Sequence, residues 1–301
     1  MDAGSPLRVF DPRAVRLHRA RALRQGGADF LQREAAERLA DRLDDVNRRF
    51  PRALDLGCGG GALARAVAGR GGIEWLVSAD AAAPCLGAAG PRVAAEAEAL
   101  PFAPRSFDLV LSNLALHWAN DLPGALLQLR QILRPDGLLL ATLWGGETLF
   151  ELRAALTEAE LAEEGGASPR VSPMADLRDL GGLLQRAGFA LPVADADAIE
   201  ATYPDALALM RDLRAMGESN AVLERRRGFT RRATLARAAA LYAARFARPD
   251  GRIPATFQLV TLTAWAPHES QPRALRPGSA RHRLADALGS EERSAGDRAT
   301  P

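Results

Sequence analysis

Ala53-Leu54-Asp55-Leu56-Gly57-Cys58-Gly59-Gly60-Gly61, followed nineteen residues after Gly61 by Asp80 at the end of the apolar run Trp75-Leu76-Val77-Ser78-Ala79, decides the fold. Leu54 and Leu56 fit a short buried strand. Gly57, Gly59 and Gly61 form a turn whose backbone can adopt positive φ and approach a ligand where a Cβ would collide. A helix over about residues 62–68 then points free N–H groups at that turn. Asp80 closes a second strand, where a carboxylate can accept bonds from both hydroxyls of a ribose.

The glycine spacing also satisfies the dinucleotide-binding fingerprint, with Ala62 as its last member. Asp55 separates the two readings. A carboxylate at the end of a buried strand is costly unless something bonds it, and beside a pyrophosphate it would repel the ligand. The ammonium of an amino-acid tail would welcome it, so the ligand suggested is S-adenosylmethionine. Glu96, with Ala97-Glu98-Ala99-Leu100-Pro101-Phe102 after it, places an acid near the end of a third strand, where an adenine amino group could be met. Phe107 to Asn113 reads as a fourth strand, and residues 133–137 as a turn into a fifth over 138–143. Together, residues 53–143 resemble a class I S-adenosylmethionine-dependent methyltransferase.

A chain of 301 residues that is 48% hydrophobic can bury a large core. No apolar stretch reaches the roughly 18 residues of a membrane helix. Every one of the 39 basic residues is arginine, and the 37 acids leave a net charge of +2, so no global field recruits nucleic acid or anionic membrane. The absence of lysine fits GC-rich codon usage. Cys58 and Cys85 make neither a disulfide framework nor a metal site, and a reducing compartment is the simpler expectation. Arg8, Arg13, Arg16, Arg19, Arg21 and Arg24 could pass for an organellar presequence. Asp2 and Asp11 interrupt it, however, and Asp11-Pro12 is a helix start with proline in the first turn. A second helix over 30–50 carries Leu31, Ala35, Leu39, Leu43 and Val46 as an apolar stripe. The two helices are expected to cap the cofactor end of the sheet, unless their arginines are simply a solvated face.

Beyond the fifth strand, residues 148–162 and 174–187 read as helices, with Gly188 as a C-cap. A sixth strand falls within 191–203, two helices over 207–216 and 231–246 make an insertion, and 254–265 alternates as a last strand. The fold class implied is α/β: a Rossmann-like seven-stranded, mostly parallel sheet with an antiparallel last strand, helices on both faces, an N-terminal helical cap and a helical insertion. The division expected is 1–50 for the cap, 51–150 for the cofactor-binding core, 151–270 for the rest with an insertion at about 204–250 that offers a partner surface, and 271–301 for a polar, mobile tail.

The expected cofactor-binding residues are Asp55, Gly57, Cys58 and Gly59 at the methionine part, Asp80 with Ala81 at the ribose, Glu96 with Ala97 at the adenine, and Asn113. Methyl transfer from a sulfonium runs largely on proximity and orientation, so no general base need announce itself. Asn113 and His117 follow the fourth strand and are the catalytic candidates. His117 could take or share a proton of the acceptor, or it could pack beneath the loop with Trp118. His18, His117, His268 and His282 show no pairwise spacing of a two-histidine, one-carboxylate iron site, and no metal is expected. A Gly-x-Ser-x-Gly elbow is absent. Residues 216–220, a small polar turn between helices, are expected to border an acceptor pocket or to form an ordinary helix cap.

Over about residues 9–279 the chain resembles a narrower family, that of the mitochondrial complex I assembly factor that hydroxylates an arginine, with its proteobacterial relatives. The marks are Val9-Phe10-Asp11, Ala53 to Gly59, and Leu114-Ala115-Leu116-His117-Trp118-Ala119-Asn120-Asp121-Leu122-Pro123. Ser168-Pro169-Arg170-Val171-Ser172-Pro173, Met216-Gly217-Glu218-Ser219-Asn220 and His268-Glu269-Ser270-Gln271 lie outside the generic methyltransferase signature. A weaker likeness, over the core and insertion, is to the O-methyltransferase that esterifies malonyl thioesters in biotin synthesis. The chain departs from the family at the polar-poor Ser78 to Pro84 and at Glu96, where an aspartate is common. The likeness starts at Val9, leaving eight residues, too few for a targeting signal, and implies a bacterial cytoplasmic protein. The residues favour methyl transfer; the resemblance implies arginine hydroxylation on a complex I subunit, methylation of an acyl-carrier thioester, or a non-catalytic assembly role that merely holds the cofactor. Fold alone does not choose among them.

Overall fold

Ala53, Leu54, Asp55 and Leu56 are each no more than 2% exposed, so β1 (Arg52–Leu56) is a central strand covered on both faces. The computed structural model of the chain describes residues 8–86, 90–272, 279 and 284–291. β1 pairs in parallel with β2 (Trp75–Asp80) on one side and β4 (Phe107–Asn113) on the other. β3 (Arg92–Ala94) flanks β2, and β5 (Leu133–Trp144) flanks β4. β6 (Ala190–Tyr203) and β7 (Ile253–Trp265) complete seven strands in the order β3-β2-β1-β4-β5-β7-β6. β7 runs antiparallel to both its neighbours. This is the Rossmann-like methyltransferase sheet, with its antiparallel last strand. Strand order reverses between β1 and β4, and in open sheets of this kind the crevice at the carboxyl ends of those strands takes the ligand.

α4 (Leu122–Ile132) and α6 (Leu177–Arg186) cover one face of the sheet through Leu126, Leu129, Leu180 and Leu184. α2 (Phe30–Asp44) and the five-residue α3 (Ala62–Ala66) cover the other, where Leu39, Leu43 and Leu63 meet Leu109, Leu111 and Leu140. Each such leucine contributes about 1.5–3 kcal/mol by leaving water. A third cluster, around Trp144 and Phe257, gathers α5 (Phe150–Glu164), α7 (Ala206–Met216) and α8 (Arg232–Phe246) at one end of the sheet. That cluster walls the 260 Å³ cavity described below.

α1 (Pro12–Arg24) starts as its sequence demands: Asp11 accepts the N–H of Arg13 and of Ala14, at 3.1 and 3.2 Å, ahead of the proline. α1 lies over the ligand end of the sheet. α2 packs on a sheet face, and only its first turn reaches the cleft. It stops at Asp44 rather than running to residue 50, because Asp44, Asp45 and Asn47 are poor helix formers; Phe50 is buried from an extended segment whose N–H bonds Gly71 O at 2.8 Å. β5 begins at Leu133, taking in residues expected to form a turn. The register slips between Phe107 and Leu109, and Asp136 takes φ +65°, which an aspartate tolerates.

α5 starts two residues later than the periodicity suggests, after Leu149 at φ +56°. α6 starts three later, where Asp176 accepts the N–H of Arg178 at 2.8 Å. Residues up to His268 form one compact unit, and those from Glu269 a second, in which α9 (Leu284–Leu288) is described. Much of the tail expected over 271–301, His282 included, lies outside the described residues, as do residues 1–7. Among the described residues no helix is long and apolar enough to cross a membrane.

Candidate active site

The turn after β1 is built by conformations that glycine alone adopts without strain. Gly57 sits at φ +75° with its N–H on Ala79 O at 2.7 Å, and a Cβ there would lie 2.2 Å from the Cβ of Ala115. Gly59 follows at φ +51° and donates its N–H to Asp80 Oδ2 at 3.1 Å. Asp80 also accepts Ala82 N–H at 2.8 Å and, from across the cleft, Arg19 Nη2 at 2.9 Å. Arg19 Nη2 donates as well to Gly57 O at 3.0 Å. Burial alone would make the guanidinium less basic, but nearby Asp80 above all, aided by Cys85, Glu218 and Cys58, raises its pKa instead.

Asp55 is fully buried, and neither of its carboxylate oxygens has a hydrogen-bond partner. Burial, and next the charge of Asp80, push its pKa up to about 7, with Arg19 pulling the other way. Asp55 lines none of the cavities described below; it lies under the glycine turn, close enough for its charge to bear on Cys58. The Cys58 thiol contacts Cys85 O at 3.4 Å and is pushed well up by burial first and then by Asp55 and Asp80, so it is no nucleophile at neutral pH.

Arg19 divides the cleft in two. On one side, Asp80, Ala81, Glu96 and Ala97 line a cavity closed by Val15 and Trp118. Arg16 from α1 bonds Glu96 there. On the other side, Gly57, Cys58, Gly59, Asn113 and Glu218 line a second cavity with Gln32. Gly57 and Arg19 belong to both. The residues expected at the ribose and adenine thus share one half and those at the methionine part the other, Asp55 excepted. Asn113 spends its side chain locally, its amide donating to Gln32 O and its oxygen accepting from Thr142, each at 2.8 Å. His117 lines neither half. It is 7% exposed, its ring centroid is 5.0 Å from that of Trp118, and its Nε2 stands 3.3 Å from Glu218 Oε2.

A further cavity of about 260 Å³ opens between β5, β7, α5 and α7. Trp144, Leu149, Met174, Leu213 and Phe257 make it apolar, while Arg170, Ser172, Glu218 and Asn220 supply its polar wall. Glu218 therefore borders both this cavity and the methionine half of the cleft. Gly217, at φ +84°, ends α7, and Glu218 N–H bonds Leu213 O at 2.9 Å. Ser219 and Asn220 cap no helix, since α8 begins at Arg232. Instead Asn220 donates to Pro169 O at 2.7 Å and accepts from Ser172 Oγ at 3.4 Å. The two stretches 168–173 and 216–220, a family mark each and outside the generic core, meet at this cavity.

Reading the sequence missed Arg19 and Glu160. Arg19 looked like one charge in a run of arginines, and Glu160 sits mid-helix in α5 with no motif around it. Glu160, 2% exposed, accepts Arg170 Nη2 at 2.6 Å and the N–H of Ser168 at 2.7 Å. Only tertiary packing brings either residue to the site.

Residues 54–141 match the family model described as a methyltransferase domain. Arginine-hydroxylase NDUFAF5, mitochondrial, of Danio rerio is 44% identical over 264 residues, covering 86% of this chain and 82% of that protein. The chain belongs to the NDUFAF5 family. Within the same range of similarity, the malonyl-acyl-carrier-protein O-methyltransferase of Halorhodospira halophila is 39% identical over 260 residues, covering 83% of this chain and 86% of that one. The YcgJ protein of Bacillus subtilis shares the fold, at a TM-score of 0.53 and 14% identity over 76% of this chain and 98% of its own. The cofactor of a methyltransferase domain is S-adenosylmethionine, and this NDUFAF5-family cleft fits it on two counts. Asp55 is an orphaned buried carboxylate beside a turn where a zwitterion's ammonium would approach, and Gly57 leaves bare backbone where a Cβ would clash.

Proposed function

We propose that the chain binds S-adenosylmethionine across the two halves of the cleft and transfers its methyl group to an acceptor held in the 260 Å³ cavity. The observation that carries this reading is Glu218: it borders both spaces, so an acceptor in one meets the reactive end of a cofactor in the other. When bound, the cofactor supplies an electrophilic methyl group on a positively charged sulfur. In this reading Asp55, ionised, receives the ammonium of the methionine part; Gly57 and Gly59 let the backbone come close, and Cys58 packs beside them. Asp80 with Ala81 meets the ribose, and Glu96 with Ala97 the adenine. Asn113 ties β4 to α2 at the mouth of the methionine half. His117 holds Glu218 in place rather than touching the acceptor. Orientation supplies most of the acceleration, and Glu218 is the group placed to receive a proton or a cationic acceptor atom.

A second reading is hydroxylation of an arginine, the activity for which the 44%-identical relative is named. One feature favours it: the cavity combines an apolar lining with the Glu218 carboxylate on its polar wall, which suits an alkyl stem tipped by a guanidinium. Under either reading the partner is a protein, a subunit of respiratory complex I, or else an acyl-carrier thioester as in the malonyl-thioester relatives; a non-catalytic assembly protein would use the same surface. Mass spectrometry of complex I subunits and of acyl-carrier protein from cells with and without the gene decides. A gene-dependent methyl on either supports methyl transfer, a gene-dependent oxygen on arginine supports hydroxylation, and a wild-type level of both modifications in the deletion strain removes the catalytic readings.

A further inference from the structure

The two halves of the cleft are lined by the acids Asp29, Asp80, Glu96, Glu98 and Glu218, with Asp55 buried under the glycine turn, against few cations. Of the cations bordering the methionine half, Arg65 has a side chain 61% exposed and donates to Gly60 O at 2.8 Å. Arg19 has a side chain 17% exposed and stands at the boundary of the two halves. A zwitterionic amino-acid tail brings a carboxylate as well as an ammonium. Among these acids that carboxylate is repelled unless a buried cation faces it.

Asp80 gives a second, independent observation. A carboxylate has about four lone-pair sites, and three bonds already end on this one, from Gly59 N–H, Ala82 N–H and Arg19 Nη2. One site remains, while a ribose presents two adjacent hydroxyls. Of the three donors, the two N–H groups are fixed backbone and Arg19 is a side chain on α1, so Arg19 is the donor that can leave. It cannot leave to an apolar place, because an unpaired buried guanidinium costs several kcal/mol.

We propose that Arg19 is a cofactor-binding residue that exchanges partners: it seals Asp80 in the free protein and, when the cofactor enters, turns to the cofactor's α-carboxylate, freeing Asp80 for the ribose and joining the two half-cavities. The exchange keeps Arg19 paired with a carboxylate at both stages, while Asp80 trades that cation for hydroxyl donors and keeps its two backbone N–H bonds. It also makes the carboxylate a condition of tight binding, since a nucleoside without one offers Arg19 nothing in return for Asp80. The planar guanidinium fork matches a carboxylate better than an ammonium would. The inference rests on the cofactor reading above and adds a residue that the sequence left in a solvated run.

Titration calorimetry with two ligands that differ only in that group tests it: S-adenosylmethionine and its decarboxylated form, each against the wild-type chain, Arg19→Ala and Arg19→Lys. The wild type should bind the intact cofactor at least about tenfold more tightly than the decarboxylated one, the scale of one charge-assisted bond. In Arg19→Ala that ratio should fall to near one, with the decarboxylated ligand bound as well as before or better, because Asp80 is already open. Arg19→Lys should retain part of the ratio, and it carries the test should the alanine variant fail to fold. A ratio in Arg19→Ala equal to the wild type's overturns the exchange, whether both affinities rise, which would make Arg19 a plug only, or fall together, which would make it structural. A wild-type chain that binds neither ligand removes the cofactor reading itself.

Discussion

His117 Nε2 lies 3.3 Å from Glu218 Oε2, across 101 residues of sequence, while its buried Nδ1 has no partner. The imidazole is thus behind the carboxylate that borders both cavities and cannot reach an acceptor except through it. His117→Gln should lower kcat/KM about three- to tenfold, and in a Glu218→Ala background it should cost nothing further, because residues that act through one another are not additive. An independent general base would instead lose on the order of a hundredfold or more in either background. Kinetics of the four chains on the identified acceptor separate the two.

Asp55 makes the protein's stability and its cofactor affinity respond to pH in opposite senses. Its pKa near 7 stands above the ordinary 3.8, so between those values the folded chain keeps a proton that the unfolded chain has lost. Stability therefore falls as pH rises from about 4 through 7 and stays low above it. An ammonium, by contrast, is held by the ionised form, so cofactor affinity should climb through the same interval. Asp55→Asn should stabilise the ligand-free chain at pH 8 by on the order of 1–4 kcal/mol, while weakening the cofactor about tenfold and flattening its pH dependence. Melting curves at pH 5 and 8 check the first effect and calorimetry the second. A variant whose affinity still rises with pH like the wild type's would take Asp55 out of the site.

Much of the fold was legible because its signals are local. β1, the glycine turn and β2 lie within thirty residues, and burial on both faces makes the centres of β4 and β5, Leu109 to Leu111 and Leu138 to Leu143, largely apolar. Errors fell at the end of α2, where poor helix formers stop the helix short of its apolar stripe, and at the entry to β5, where sheet pairing with a register slip absorbs residues that look like a turn. The cleft was legible along its floor and not across its roof. Asp80 is readable from its distance to Gly61, but nothing local couples it to Arg19, 61 residues away on another helix. His117 was correctly placed after β4, yet only the fold could turn its ring toward Glu218 and away from both halves of the cleft.

Gly57 tests whether the bare backbone of the turn is a requirement. Alanine there would be strained at φ +75° and would set its Cβ 2.2 Å from that of Ala115, inside any real contact distance. The loop must move, and with it the N–H that reaches Ala79 and the carbonyl that receives Arg19. Gly57→Ala should destabilise the chain by about 1–3 kcal/mol and reduce cofactor binding beyond detection at ordinary concentrations. Gly69→Ala, also at positive φ but with nothing within 4 Å of its Cβ, supplies the control: backbone strain without a clash. Equal cofactor affinity in the two variants would show that strain, not close approach, sets the need for glycine.

Glu160 decides whether the acceptor cavity keeps its polar wall. Burial alone would raise its pKa, but Arg170 and Ser168 outweigh that and hold it below the ordinary 4.5, so its contribution is present above that pH and lost as pH falls through the lower folded value. Arg226 stands 3.7 Å away, and Arg170 donates onward to Thr230 at 2.8 Å, so the carboxylate anchors the 168–173 segment to α5. Glu160→Ala leaves Arg170, with a side chain 14% exposed, facing an apolar gap, and should cost about 3–5 kcal/mol. Glu160→Gln keeps an acceptor for Arg170 and should cost less, while its stability between pH 5 and 3 should fall less steeply than the wild type's. Urea unfolding across that range measures both. In folded Glu160→Gln the cofactor should bind as in the wild type while acceptor KM rises, since the carboxylate reaches the acceptor cavity through Arg170 and touches neither half of the cofactor cleft; a matching loss of cofactor affinity would mean the two spaces are not separable in this way.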